Sequence, residues 1–311
     1  ISVIPAIALQ SIEVLRDGAA AQYGSDAIAG VMNFVLKDAD HGGTFQVKYG
    51  QFYKGDGETA EYSANVGFPL LEEGFGNVSL EYSNSAATDR SVQRDDAKAL
   101  IAGGNGNVAN PAQVWGQPEV KDNLKLFANF GQELNSSLKL YAFGNYARRE
   151  VEGGFYFRNP DTRDGVYSND GGKTRLVGDL DPTNNITCPV VAIGDSAAYG
   201  QIANNSTAPG AECFAFNEMF PGGFTPKFGG ELHDVSGVAG VRGDLGSGLR
   251  YDLSASVGQN QIDFFIKNTV NATLGPNTPT SFKPGSYIQR EKQFNFDVSY
   301  PLPLELFASP L

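Results

Sequence analysis

Eight segments of strict two-residue alternation, each apolar on one face only, and a regular exchange of tight turns with long polar loops predict an all-β transmembrane fold. The fold class expected is an antiparallel outer-membrane β-barrel, entered from a short N-terminal unit of different texture. Composition agrees: 38 Gly, 13 Tyr and 21 Phe stand against two Met and one Trp, the usage of strands, turns and exposed aromatics. No stretch approaches the roughly 18 apolar residues of a spanning helix.

Residues 1–40 do not alternate. "IEVL" (residues 12–15) reads as a short buried strand, Asp17 and Gly18 as its turn, "AAAQY" as one helical turn and "GVMNFVLK" (residues 30–37) as a second buried strand. Gly24 and Gly30 suit positions of positive φ or of close backbone approach.

From Thr44 onward the alternation begins. "TFQVKY" puts Phe45, Val47 and Tyr49 on one face. "TAEYSANVGFPL" opposes Tyr62, Val66 and Phe68 to Glu61, Ser63 and Asn65, and "NVSLEYS" opposes Val78, Leu80 and Tyr82 to Ser79 and Glu81. The pattern returns in "NLKLFANF", "SLKLYAFGNYA", "VSGVAGVRGDL", "LRYDLSASVG" and "QFNFDVSYPL". Each strand is expected to run about ten residues, a membrane-crossing length rather than that of a soluble sandwich. Tight turns ("LEEGFG", "QELNSS", "GSG") alternate with longer connections, the longest within residues 86–122, 149–234 and 268–290. Short turns at one end and long loops at the other belong to a barrel that spans an outer membrane. Tyr53, Phe68, Tyr146 and Tyr300, near strand ends, suit interfacial girdles.

The net charge of −12 and the lack of any Lys/Arg run argue against a nucleic-acid partner. Cys188 and Cys213 fit no metal or redox motif, and a loop disulfide formed in an oxidising compartment is expected. The Asp/Asn/Gly-rich stretch 159–185 lacks Ca²⁺-loop spacing and is read as a solvated surface loop. No catalytic constellation is found: "GDS" at residues 194–196 is a bare tripeptide, and His233 beside Asp234 has no link to Ser196. Neither an enzyme nor a cofactor is expected, and no metal-binding set is assigned. Trp115, Tyr156 and Tyr167 are loop aromatics that suit either ligand contact or packing within their own loops.

The stretch "IPAIALQSIEVLRDGAAAQYGSDAIAGVMNFVLK" closely resembles the C-terminal end of the plug domain of TonB-dependent outer-membrane receptors. The resemblance covers roughly residues 4–37, with Ile12, Glu13, Val14, Leu15, Arg16, Gly18, Tyr23, Gly24, Ala27, Ile28, Gly30, Val31 and Asn33 in place and Met32 for a common Ile. It implies that residues 1–40 end an α+β plug and that residues 44–311 hold about eight strands of a 22-stranded barrel. The chain opens on Ile and stops at "LELFASPL", so a piece of a longer protein is expected. The resemblance further implies a Gram-negative outer-membrane location and TonB, with its inner-membrane energising complex, as partner through a more N-terminal region. The cargo implied is a scarce ligand of the ferric siderophore, cobalamin or oligosaccharide class. Arg16 matches a plug arginine of the kind that pairs with acidic groups on the barrel wall, and Glu61 and Glu81, on polar strand faces, are candidate partners beside those that wall strands outside this chain would offer. The alternative class is a passive porin-like channel, or an adhesion or signalling barrel, that keeps a plug-like start. A signal peptide and TonB-box segment in the longer gene would discriminate between them.

Overall fold

The computed structural model describes residues 2–16, 30–203, 212–245 and 248–301. Gly18, Tyr23 and Gly24, with the expected "AAAQY" turn, lie outside the described residues. The N-terminal segment pairs β1 (Leu9–Leu15) antiparallel with β2 (Val31–Leu36). Gly30, at φ +130°, enters β2 where a Cβ would stand 2.5 Å from the Leu15 carbonyl oxygen, so both conformation and space require glycine.

The remaining long strands form one eight-stranded sheet. In chain order they are β3 (Gly43–Gly50), β4 (Thr59–Leu70), β5 (Gly74–Ser85), β6 (Glu119–Asn135), β7 (Leu138–Gly154), β10 (Lys227–Asp244), β11 (Arg250–Lys267) and β12 (Ser281–Ser299). Each pairs antiparallel with its sequence neighbour, and the two-residue strands β8 (Gly178–Asp179) and β9 (Cys213–Phe214) pair apart within the β7–β10 connection. The sheet is an open section of wall, with β3 and β12 at its edges. Each of the eight alternating segments lies on one of these strands, with end residues such as Ser137, Leu245, Leu249 and Tyr300 outside them. Their lengths, however, reach 17 residues in β6 and 19 in β12, beyond the ten expected. The reason is that alternation marks only the part facing an apolar medium. Past it both faces are wet, as in "QNQID" of β11, and the ladder continues without a hydropathy signal.

Burial in this sheet is inverted relative to a soluble protein. Ser63, Asn65, Asn77, Ser79, Glu81 and Ser83 are buried on one face, while Tyr62, Val66, Phe68, Leu80, Val235, Val257 and Phe294 stand exposed on the other. An apolar exterior over a polar interior is stable only where the exterior meets lipid.

The apolar belt also climbs across the strands. Val47 of β3 stands, strand by strand, level with Tyr62, Tyr82, Leu124, Arg148, His233, Gln261 and Ile288. The apolar run of β12 is centred instead on Phe296, eight positions beyond Ile288. Eight residues at ~3.3 Å over seven strand spacings of ~4.8 Å give a slope of about 40°. A level membrane therefore meets strands tilted by about 40°, within the range of outer-membrane barrels.

The connection between β7 and β10 is a folded cap rather than the solvated loop expected. Val191, Ile202, Cys213 and Ala215 form one apolar core, with Ile202 supplied by helix α2 (Ser196–Ala203). Tyr167, Phe214, Phe216 and Phe224 form a second. A third, of Ala97, Val108, Ala112 and Phe157, joins helix α1 (Asp95–Ala102) of the β5–β6 loop to the cap. Polar composition concealed these cores because the apolar residues are scattered without period, as in "CFAFNEMF". Cys188 and Cys213 are disulfide-bonded with Cα atoms 5.8 Å apart. By loop closure over their separation of 25 residues, the bond contributes about 3 kcal/mol to the cap. Cys188→Ser is expected to make the cap protease-sensitive while leaving the strands protected. Equal protection of both in limited proteolysis would refute this.

A second tie joins loops at the same end. Asp56, after β3, holds the Arg90 guanidinium of the β5–β6 loop through both oxygens and accepts the Asp89 N–H at 3.0 Å. Arg90 lowers the Asp56 carboxyl to about 2. Because this value lies below the ordinary carboxylate range near 4, the stabilising contact is complete above about pH 4 and is lost as pH falls through about 2. Proteolysis of these loops with an acid protease is expected to rise only near pH 2, and Arg90→Ala should abolish that dependence.

Candidate functional site

The polar inner face of β4, β5 and β6 is a seat for the N-terminal segment. Asn65 donates to Asn77 Oδ1 at 2.6 Å and to Ser79 Oγ at 2.9 Å. Asn77 in turn donates to the Ala39 carbonyl at 3.2 Å, and Asn129 donates to the Lys37 carbonyl at 3.0 Å. Wall side chains thus satisfy main-chain groups of a segment that has no ladder partner there, which removes the penalty of burying them. At Gly67 wall and segment approach most closely: its N–H donates to the Gly42 carbonyl at 2.9 Å, and a Cβ would stand 2.3 Å from the Ala39 carbonyl oxygen. Gly67→Val is expected to lift residues 39–42 off the wall, detectable as faster hydrogen exchange confined to that stretch. Unchanged exchange would show that the approach is not required.

Charge fixes the other end of the seat. Glu81, buried, accepts from Lys125 Nζ at 2.7 Å and from the Ala6 N–H at 3.2 Å. The expected pairing of Arg16 with Glu61 or Glu81 is corrected. Glu61 pairs with Lys48 at 2.7 Å, and exposed Arg16 has no ion-pair partner among the described residues. Adjacent strands bring each glutamate level with or diagonal to a lysine, so the wall neutralises its own carboxylates. The lysines of "QVKY" and "NLKLF" could have been found by pairing charges across predicted strands. Asn33 serves the N-terminal segment itself, donating to Glu13 Oε2 at 2.8 Å across the β1–β2 pair.

Beyond the seat the inner face opens into a polar cavity of about 140 Å³ between Ser2–Val3 and the wall, lined among others by Lys125, Arg149 and Asp234. Asp234 accepts from Asn145 at 2.9 Å and Asn260 at 3.1 Å, so three strands share one carboxylate.

At the loop end of the same face the character changes. Phe228 stacks on Phe264 at 5.5 Å, Phe155 approaches Phe228 at 6.5 Å, and the Arg158 guanidinium lies 5.5 Å over the Phe155 ring. Burial depresses the Arg158 pKa below its ordinary value, although the group remains charged at neutral pH. Trp115 and Tyr156, about half exposed, meet edge to face at 5.5 Å beside this ladder. Tyr167 does not join them: it is buried in the cap, its hydroxyl donates to the Phe220 carbonyl at 3.0 Å, and burial pushes its pKa well up. The arrangement offers aromatic faces and a cation to a solute entering from the loop side. The Phe residues were missed because each lies in a different connection or strand end, and only the pairing of β7, β10 and β11 aligns them.

The fold is therefore a section of antiparallel barrel wall with an N-terminal segment seated on its inner face. No family model matches the chain, and no curated protein sequence matches it significantly. Among solved structures it is similar to a variant of the ferric enterobactin receptor PfeA of Pseudomonas aeruginosa, at 18% identity and TM-score 0.49, over 97% of this chain and 34% of that one. A PfeA variant in complex with enterobactin matches at 18% and 0.48, over 98% and 35%. The siderophore receptor PirA of Acinetobacter baumannii matches at 16% and 0.48, over 99% and 34%. The chain spans about a third of the length of these receptors. With TM-scores below 0.5 the likeness carries no weight for function.

Proposed function

We propose that this chain is the end of the plug and the first wall strands of a TonB-dependent outer-membrane receptor, which imports a scarce ligand at the expense of the inner-membrane proton gradient. The observation that carries this reading is the seat: Glu81, Asn77 and Asn129 on the inner face of the wall, with the Gly67 N–H, bond the main chain of the N-terminal segment at Ala6, Ala39, Lys37 and Gly42. In a passive channel such groups would line open water. A hydrogen-bonded, polar contact is also one that a pulling partner can break and re-form, because water replaces each lost bond. The partner is TonB, acting through a region N-terminal to this chain. Of the ligand classes open to such a receptor, a ferric siderophore is supported by the Phe155, Phe228 and Phe264 ladder with Arg158, which suits an anionic chelate bearing flat groups.

Uptake of ferric siderophores by cells carrying the full-length protein tests this. Uptake is expected to collapse when the proton gradient is dissipated, while surface binding persists. Uptake that continues unchanged would establish the passive channel instead.

A further inference from the structure

Of the chain's asparagines, Asn105 alone precedes a glycine. It lies in the "GGNGN" stretch that leaves helix α1, and its side chain ties that stretch to the cap. Asn105 Nδ2 donates to the Pro221 carbonyl at 2.9 Å, and Oδ1 accepts the Asn107 N–H at 3.1 Å. Beside this tie the two main chains touch: a Cβ at Gly222 would stand 2.0 Å from the Asn107 carbonyl oxygen. One residue further, Val108 enters the apolar core shared by Ala97, Ala112 and Phe157. Phe157 follows Tyr156 and precedes Arg158, so this core anchors the chain that carries both groups of the aromatic site.

Around Gly106 the chain is open. The residue is exposed, and a Cβ there would meet nothing within 4 Å. Its N–H meets the Gly104 carbonyl at 3.1 Å, a three-residue turn contact that water can replace. The Gly106 nitrogen can therefore turn toward Asn105 Cγ, a freedom that a side chain at this position would restrict. The Asn107 N–H already sits on Oδ1, the atom on which negative charge develops when Cγ is attacked.

We propose that Asn105 is a self-modification site, whose amide is lost by cyclisation onto Gly106 and whose product releases the β5–β6 loop from the cap. The Gly106 nitrogen bonds to Asn105 Cγ while the Cγ–Nδ2 bond breaks. The proton from the Gly106 nitrogen passes through water to Nδ2, which leaves as ammonia. Water then opens the resulting cyclic imide at one of its two carbonyls. Opening at Cγ yields aspartate, and opening at the main-chain carbonyl yields isoaspartate. Water is the only co-reactant. Either product loses the tie, because a carboxylate oxygen then faces the Pro221 carbonyl oxygen and two acceptors meet. Isoaspartate also lengthens the main chain by one carbon beside the contact of Asn107 with Gly222, where there is no space to absorb it.

The test ages the full-length protein at neutral and mildly alkaline pH, with conversion at each asparagine read by peptide mapping and isoaspartate by enzymatic methyl labelling. Asn105 is expected to convert about tenfold faster than any other asparagine, and faster still at alkaline pH, where the Gly106 nitrogen deprotonates more readily. Gly106→Ala should slow the conversion about tenfold without disturbing the fold, since Gly106 is not among the glycines of positive φ. Hydrogen exchange reads the release. Aged parent protein and freshly made Asn105→Asp should both exchange faster at residues 105–108 and 220–224 than fresh parent, while aged Gly106→Ala should not. An Asn105 that ages no faster than the other asparagines would overturn the proposal, as would full conversion that leaves exchange at residues 220–224 unchanged.

Discussion

Lys125→Met, with Glu81 left in place, is expected to destabilise the seated N-terminal segment by about 3–5 kcal/mol, the cost of a buried carboxylate without its cation. The side chains are 15% and 5% exposed, so water compensates little. Adding Glu81→Gln should restore most of the loss, because the amide oxygen still accepts the Ala6 N–H and no charge is stranded. In the full-length protein the single variant should show a lower melting temperature and transient conductance in planar bilayers, both reverting in the double variant. A single variant as stable and as closed as the parent would mean that the pair does not hold the segment.

An arginine placed at Ala239 is the second large perturbation. Ala239 is exposed on the outward face at mid-belt, where a charge costs about 2–4 kcal/mol in lipid. Ser256→Arg, on the neighbouring strand and pointing inward, should cost a small fraction of that. Urea titration of protein folded into vesicles compares the two directly. Equal penalties, or a larger one at Ser256, would contradict the assignment of faces.

Periodicity made the wall legible because a strand between lipid and a polar interior writes its two environments into alternate residues. "TAEYSANVGFPL" coincides with β4 to the residue. The same cause set the limit: the outer half of β12, "SFKPGSYIQREK", lies beyond lipid and shows no clean pattern, yet it remains in the ladder. The inner-face seat was legible only as a set of polar positions. Which of them carried the contact depended on register, which puts Glu81 beside Lys125 rather than beside Arg16. The aromatic ladder and the cap cores depended on chain closure over long distances, for which local sequence offers no signal.

The cap also bears on how fast this wall can assemble. Every pair of neighbouring strands but one is joined closely enough to zip from its own connection or through a loop of modest length. Between β7 and β10 stand residues 155–226, yet within the cap Arg158 and Phe224 exchange main-chain bonds of 2.7 and 3.2 Å. A cap that folds first brings the chain ends together at that bridge, so the effective loop shrinks from about seventy residues to a handful. Each halving of loop length saves about 0.6 kcal/mol, some 2 kcal/mol over three halvings. The disulfide-bonded cap would thus act as a folding clamp, turning the most distant strand pairing of the sheet into one almost as local as a hairpin.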